Sequence, residues 1–473
     1  MKSLAILPGV LLAGAVSASE MTVKPSTVAS RAQDGQDLAL TVYNVGRALV
    51  RDTRTVNLPK GTVKLEFRDI AAQVIPETVA LETTGVRVLE QNYEYDLLSP
   101  ETLLAKFLGK EVILVREEPR LEGLGTVRQE VAATLLALNK GTVWRIGSRI
   151  VSNPQYRELV FDRVPENLRD KPTLVWLLQA ETGGPRSVKA TYLTSGLTWK
   201  ADYVLALQED GKRGRLSGWI TLTNNSGASY PNAQLQLVAG EVHLAPPGRK
   251  KVPFDKMLLE QAKVVEMRPE NLGEYHLYSL SRPTSIVDRQ QKQVALLEAE
   301  GVNVSQELVV ENGPTWYWNR QEGLQNQPVQ VRLELVNGRA NNLGLPLPAG
   351  VIRVYQRDRR GVEQFMGEDA IEHTPRDETV TITIGNAFDV VAERVQTDFR
   401  SFDRTTESSF EVRLRNHKEE PVTVEVEENI GGDWEMLSNS HPYTKRSAFV
   451  VVFTVPVPAQ GSTVLAYRVR VRR

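Results

Sequence analysis

The chain has 473 residues, 57 of them basic and 58 acidic, for a formal net charge of −1. That balance excludes the basic excess by which a nucleic-acid-binding domain is recognised. There is no cysteine, which excludes disulfides, thiol catalysis, cysteine zinc sites and iron–sulfur clusters; a chain of this length has core enough to do without cross-links.

Met1-Lys2 is a short positive start, and Leu4 to Val16 is an apolar run interrupted only at Pro8-Gly9. Val16-Ser17-Ala18 supplies the small residues that a signal peptidase needs. These three parts predict a secretory leader over residues 1–18, cleaved after Ala18, and a periplasmic or secreted mature chain. The run is too short to remain as a membrane anchor, and no later stretch approaches transmembrane length.

Length alone suggests about three domains, and composition divides the mature chain further. Residues 19–98 read as an N-terminal β domain, with strands Leu38 to Tyr43, Ala48 to Val56, Val63 to Phe67, Val79 to Glu82 and Val86 to Gln91. Residues 99–168 change character: Val112-Ile113-Leu114-Val115, then Val131 to Leu138, then Thr142 to Ile146, with tight glycine turns. Such spacing suggests a small barrel, with Val131 to Leu138 open to either strand or helix. Residues 169–245 return to strands at Leu174 to Leu178, Val188 to Leu193, Ala201 to Leu207, Leu216 to Asn224 and Gln234 to Val238. The pattern collapses at Pro246-Pro247-Gly248, so 246–273 reads as a linker or long loop. Residues 274–400 form another sandwich part; Gln290 to Ala299 has a composition that would suit a helix but reads as extended among its strand surroundings, and a hairpin is expected at Asn337-Gly338.

The last block, 401–473, alternates almost letter by letter. Phe410, Val412 and Leu414 share one face, as do Val422, Val424 and Val426, and then Leu465, Tyr467, Val469 and Val471. Period-two alternation of this kind means antiparallel strands with one buried face. If the first two runs pair, arginines on one face glutamates on the other. The fold class expected is therefore all-β, several immunoglobulin-like β-sandwiches in series with a barrel-like insertion.

Chemistry is sparse. There is no nucleophile elbow and no phosphate-binding loop, and the five histidines are scattered singly. Three constellations remain. Glu368, Asp369 and Glu372, in a stretch that also holds His373, Asp377 and Glu378, offer hard oxygen ligands for calcium or an acid/base pair; charged stretches between strands are more often solvated turns. Trp316 and Trp318 would share a strand face and form a platform for a sugar ring or partner side chain, while large aromatics are more often core. Asp433, Ser440 and His441 lie close in sequence, but Gly431-Gly432-Asp433-Trp434 reads better as a turn whose tryptophan plugs a sandwich. No cofactor is indicated.

Several ordered blocks carry a family likeness. They include Thr191-Tyr192-Leu193-Thr194-Ser195-Gly196-Leu197-Thr198-Trp199-Lys200-Ala201-Asp202-Tyr203 and Gly218-Trp219-Ile220-Thr221-Leu222-Thr223-Asn224. Further on come Pro346-Leu347-Pro348-Ala349-Gly350, Ala387-Phe388-Asp389-Val390 and Leu414-Arg415-Asn416-His417-Lys418. From Thr173 onward the chain resembles the secreted bacterial domain-of-unknown-function family found in mucoidy-inhibitor-like proteins, with a looser match at the N-terminus. It lacks the coiled helical segment expected between the two halves. The resemblance implies an envelope-associated, strand-rich protein and carries over no activity, cofactor or catalytic residue.

The function expected is thus a non-catalytic binding or assembly module of the envelope, with a protein or glycan partner. The alternatives are a hydrolase of envelope polysaccharide, drawing acids from Glu368, Asp369, Glu372 or Asp433, and a structural spacer.

Overall fold

The computed structural model describes residues 25–119, 126–165, 168–240, 267–272, 275–313 and 317–472. The expected leader, 1–18, lies outside the described residues. So does most of the expected linker 246–273, although Met267–Leu272 within it is a strand. The described residues are nearly all β, in several open sheets, and none of these closes into a barrel.

Two compact units divide the chain. The first takes residues 1–36, 53–70 and 81–189, the second 37–52, 71–80 and 190–473. The expected N-terminal domain 19–98 is therefore shared between units, and the chain passes between them inside the strands Arg47–Leu58 and Gly184–Ser195. Alternation gave each of these strands a face but could not say which neighbour it would pair with.

In the first unit, Gly61–Arg68 lies between Ser26–Ser30, which is parallel to it, and Thr173–Ala180, which is antiparallel; Val86–Glu94 completes the four strands. Val63, Leu65, Phe67, Leu174, Trp176 and Leu178 are buried. Arg54 is buried too, its guanidinium 3.6 Å from the Phe67 ring centre and donating to the carbonyls of Ser30 and Arg68. Residues 99–168 form a five-stranded sheet ordered Arg149–Ser152, Val143–Ile146, Thr126–Ala137, Glu111–Pro119, Glu158–Val160. The expected barrel does not form, because the outermost strands are only four and three residues long and do not meet. A helix, Pro100–Lys106, packs on the sheet instead, burying Leu104 and then Phe107 against Leu114, Leu135 and Trp144. Its start was written in the sequence: Ser99 Oγ accepts from Thr102 N–H, Thr102 Oγ1 accepts from Ser99 N–H, and Pro100 opens the first turn.

The second unit holds two sandwiches. In the first, Tyr230–Ala239 pairs in parallel with Ala39–Tyr43 and antiparallel with Tyr275–Leu280. The facing sheet has five strands in the order Gln290–Asn303, Arg213–Asn224, Leu197–Leu207, Gly350–Arg357, Glu363–Ile371. Buried Trp199 and Tyr278 meet between the sheets, ring centres 6.5 Å apart. The hydroxyls of Tyr203 and Tyr278 donate to the carbonyls of Pro348 and Pro346, fixing the segment that leads into Gly350.

The second sandwich packs six strands on five. One sheet runs Thr379–Asn386, Gln330–Val336, Ser305–Asn312, Val422–Asn429, Val450–Val457, Tyr443–Lys445; the other runs Gln325–Gln327, Val390–Phe402, Thr405–Asn416, Gly461–Arg472, Asp433–Asn439. Phe410, Val412, Leu414, Val424, Val426, Leu465, Val469 and Val471 share one buried core, each contributing on the order of 1.5–3 kcal/mol by leaving water. Three expectations need correcting. The Phe410 and Val422 runs do not pair, because the turn between them carries the chain from one sheet to the other. The boundary at 400/401 falls inside the strand Val390–Phe402, and the core built by the C-terminal strands also takes Leu308, Val310, Val390 and Ala392 from before it. Asn337-Gly338 is not a hairpin turn: Gly338 has an extended backbone and leads into a short 3-10 turn, and Asn337 is buried. Its amide donates to Leu345 and Pro375 carbonyls and accepts from Gly344 N–H.

Candidate functional site

The residues singled out in the sequence do not assemble into a catalytic centre. Glu368 and Asp369 lie on the strand Glu363–Ile371 rather than in a loop, and consecutive positions on a strand face opposite ways. Glu368 pairs with Arg353 at 3.1 Å, whereas Asp369 accepts the backbone N–H of Thr383 at 2.7 Å. Glu372 follows the strand and is exposed. Among the described residues no group of three or more His, Asp or Glu is placed to hold a metal ion. Asp433 is 81% exposed and points toward Arg472. Ser440 Oγ accepts the N–H of Ala466 and contacts only its neighbour His441.

Trp316 lies outside the described residues. Tyr317 and Trp318 are in a turn rather than on a strand; Tyr317 is wholly buried and Trp318 packs half-buried against the sandwich core. Trp434 does lean on that core, with its indole N–H on the Ala448 carbonyl.

Two arrangements were missed. The first lies inside the C-terminal sandwich. Arg394 and Glu428, both 0% exposed, face each other from opposite sheets. Arg394 Nη1 donates to both Glu428 oxygens at 2.6 and 2.7 Å, and Nη2 donates to the Tyr467 hydroxyl at 2.8 Å. Tyr317 OH and Asn312 Nδ2 complete the shell of Glu428 at 2.6 and 3.0 Å, and Phe410 lies under the guanidinium at 4.1 Å. Burial works against the Arg394 charge, but Glu428, Tyr467 and Tyr317 outweigh it and hold the guanidinium protonated. The same burial, reinforced by the Glu428 charge, pushes the Tyr317 hydroxyl far up. With Arg394, Glu428 and Tyr317 at 0% exposure and Asn312 and Tyr467 buried, this cluster ties the two sheets together and offers little to a substrate.

The second is open to solvent: the outer face of the sheet that carries Trp219. Leu216, Ile220 and Leu222 point inward on the strand Arg213–Asn224, so Trp219 points outward and is 42% exposed. Gly218, on the inner side, makes room for the Tyr203 ring; a Cβ there would stand 3.2 Å from it. In register beside Trp219 are Ala295 and Asp202, and Asp202 in turn faces Val351. Asp202 Oδ2 accepts from Thr221 Oγ1 at 2.8 Å, and Oδ1 lies 3.3 Å from Lys200 and 3.4 Å from Arg353. Burial raises the Asp202 carboxyl, but the Thr221 bond and the Lys200 and Arg353 contacts bring it net below the usual range. Farther along, Tyr355 and Phe365 meet edge to face at 5.5 Å, with Phe365 57% exposed.

Chemically this face suits binding. Arg353 bridges Asp202 and Glu368, which is the nearest thing here to a carboxylate pair. A glycosidase acid needs a raised pKa, and Asp202 is shifted the other way. A shallow depression of about 420 Å³ elsewhere is bordered by Ser409, Glu411, Ser440 and Arg468.

A scan against protein-family models finds no match to this chain, and a search of the curated proteins finds none either. Fold and site together define an all-β, multi-sheet protein with a solvent-facing aromatic and ion-paired sheet surface. No helix among the described residues is long and apolar enough to cross a membrane.

Proposed function

We propose that this chain is a non-catalytic binding or assembly module of a bacterial cell envelope, exported by its N-terminal leader and engaging a protein or glycan partner. One observation carries the reading: an exposed tryptophan stands on the outer face of a sheet whose neighbouring charges are already locked to one another. A large aromatic left in water on a rigid strand, rather than a loop, is the kind of preorganised anchor that dominates binding surfaces.

The test compares the mature wild-type protein with Trp219→Ala, both immobilised, against solubilised envelope extract and against purified cell-wall and outer-membrane glycans. Retention by the wild type that is lost in Trp219→Ala supports the proposal. Equal retention by both, or by neither, counts against it.

A further inference from the structure

Building on that reading, we propose that the partner of the Trp219 face is a neutral, hydroxyl-rich polysaccharide chain. The nearest neighbours of the indole along its own strand and on one side are small: Ala295 in register and Ser217 two residues back, with Thr221 buried; Gln293 and Glu298 flank them on the adjoining strand. The 42% exposed ring is reachable by the C–H side of a sugar ring. The rim supplies hydrogen-bonding groups in fixed positions. Lys200, Asp202, Arg353 and Glu368 form a continuous chain of contacts at 3.3, 3.4 and 3.1 Å, so their polar atoms are held in place before any ligand arrives.

The same chain of contacts decides between ligand classes. Two cations and two anions compensate each other, so this chain of contacts offers a polyanion no unpaired positive charge, on which its binding and counterion release depend. A protein partner would call for a contiguous apolar centre. Here the aromatics are dispersed instead: the register puts Tyr355 two strands across and four residues along from Trp219, about 16 Å between backbones. An elongated polar chain that touches one aromatic, then a polar stretch, then the Tyr355–Phe365 pair matches that spacing.

The experiment is a fluorescence titration of the mature full chain with cellohexaose and maltohexaose, alongside polygalacturonate as the acidic comparator. Expected are a saturable change for at least one neutral oligosaccharide, little effect of added salt, and weakening of about tenfold or more in Trp219→Ala. Because that variant loses the reporter ring, its affinity is read by calorimetry, and Trp219→Phe, which keeps a ring, should retain most of the binding. A second variant, Arg353→Met, should weaken the neutral ligand without lowering the melting temperature by more than a few degrees. Saturable binding of neither neutral glycan, binding indifferent to Trp219→Ala, or binding confined to polygalacturonate and abolished by salt overturns the inference. If neutral glycans fail while an envelope protein is retained only when Trp219 is present, the glycan assignment falls and the binding-module proposal stands. If nothing depends on Trp219, both fall.

Discussion

Replacing Glu428 by glutamine tests whether the cluster between the two C-terminal sheets carries the stability its geometry implies. The carboxylate receives Arg394 Nη1 on both oxygens, Tyr317 OH on one and Asn312 Nδ2 on the other. Every one of these partners is a donor, so the glutamine NH2 faces a donor whichever way it turns. Arg394 meanwhile keeps its charge at 0% exposure, with Phe410 beneath it, and loses its compensating anion, leaving neutral acceptors such as the glutamine oxygen and the Tyr467 hydroxyl. Removing one partner of a buried pair costs about 3–5 kcal/mol. With an unfolding slope of about 2 kcal/mol per molar urea, the midpoint for this sandwich should fall by roughly 2 M. Urea titration read by hydrogen exchange of peptides covering Val424–Val426 and Val469–Val471 isolates this sandwich from the rest of the chain. The double replacement Arg394→Met with Glu428→Gln should recover part of the loss, because no lone charge remains. A Glu428→Gln midpoint within about 0.5 M of wild type would refute the reasoning, since it corresponds to only about 1 kcal/mol.

Other outcomes follow from features of the same structure. Asn337→Ala removes an amide that holds three loop groups, Leu345, Pro375 and Gly344, and should cost on the order of 1–3 kcal/mol by thermal or urea melts. Gly350→Ala should destabilise the first sandwich of the second unit, because a Cβ there would lie 2.2 Å from the Ala201 carbonyl oxygen across a parallel pairing; a melting temperature equal to wild type would contradict this. Burial raises the hydroxyls of Tyr203, Tyr230, Tyr278 and Tyr317, and that of Tyr93 to about 12. A raised folded-state value means stability that is intact below the ordinary value of 10.0 and lost as pH climbs past it, so tyrosinate absorbance should appear together with loss of near-ultraviolet dichroism. In acid the sign reverses. Asp202 and Glu66 are each raised by burial, but hydrogen bonds and neighbouring cations leave them net lowered. Their contribution is present above the ordinary values of 3.8 and 4.5 and is lost below them. Melting temperature should therefore be level from neutral pH to about 5 and fall at lower pH.

Where a strand has one face on a core, alternation made it legible. Phe410, Val412 and Leu414, and Leu465, Tyr467, Val469 and Val471, are buried as the pattern predicts, and Gln290–Asn303 is extended. The pattern specifies a face but not a neighbour. The link between the Phe410 and Val422 runs therefore read as a hairpin, although it crosses between sheets. It also conceals parallel pairings such as Leu308 with Val424 and Ala201 with Gly350. Both missed arrangements nonetheless had a signal in phase. Val390 and Ala392 set an inward phase on which Arg394 falls, and Val424 and Val426 set one on which Glu428 falls; two opposite charges on inward phases announce a buried pair. Likewise Leu216, Gly218, Ile220 and Leu222 fix the inward phase, leaving Trp219 outside. The acidic stretch misled because its density of carboxylates concealed that Glu368 and Asp369 alternate on a strand.

The position of Gly461–Arg472 has a consequence for how the molecule is made. It lies between Thr405–Asn416 and Asp433–Asn439, so the second sheet of that sandwich is divided until residue 472 has been synthesised. Ser305–Asn312 waits in the same way for Val422–Asn429, and Ala39–Tyr43 for Gln234–Val238. Contacts so distant along the chain must overcome a large loop-closure entropy before they gain anything, which makes folding slow. Much of the chain therefore remains foldable but unfolded until late in synthesis, with half-built sheet edges exposed in the meantime and open to capture by a chaperone or by another copy.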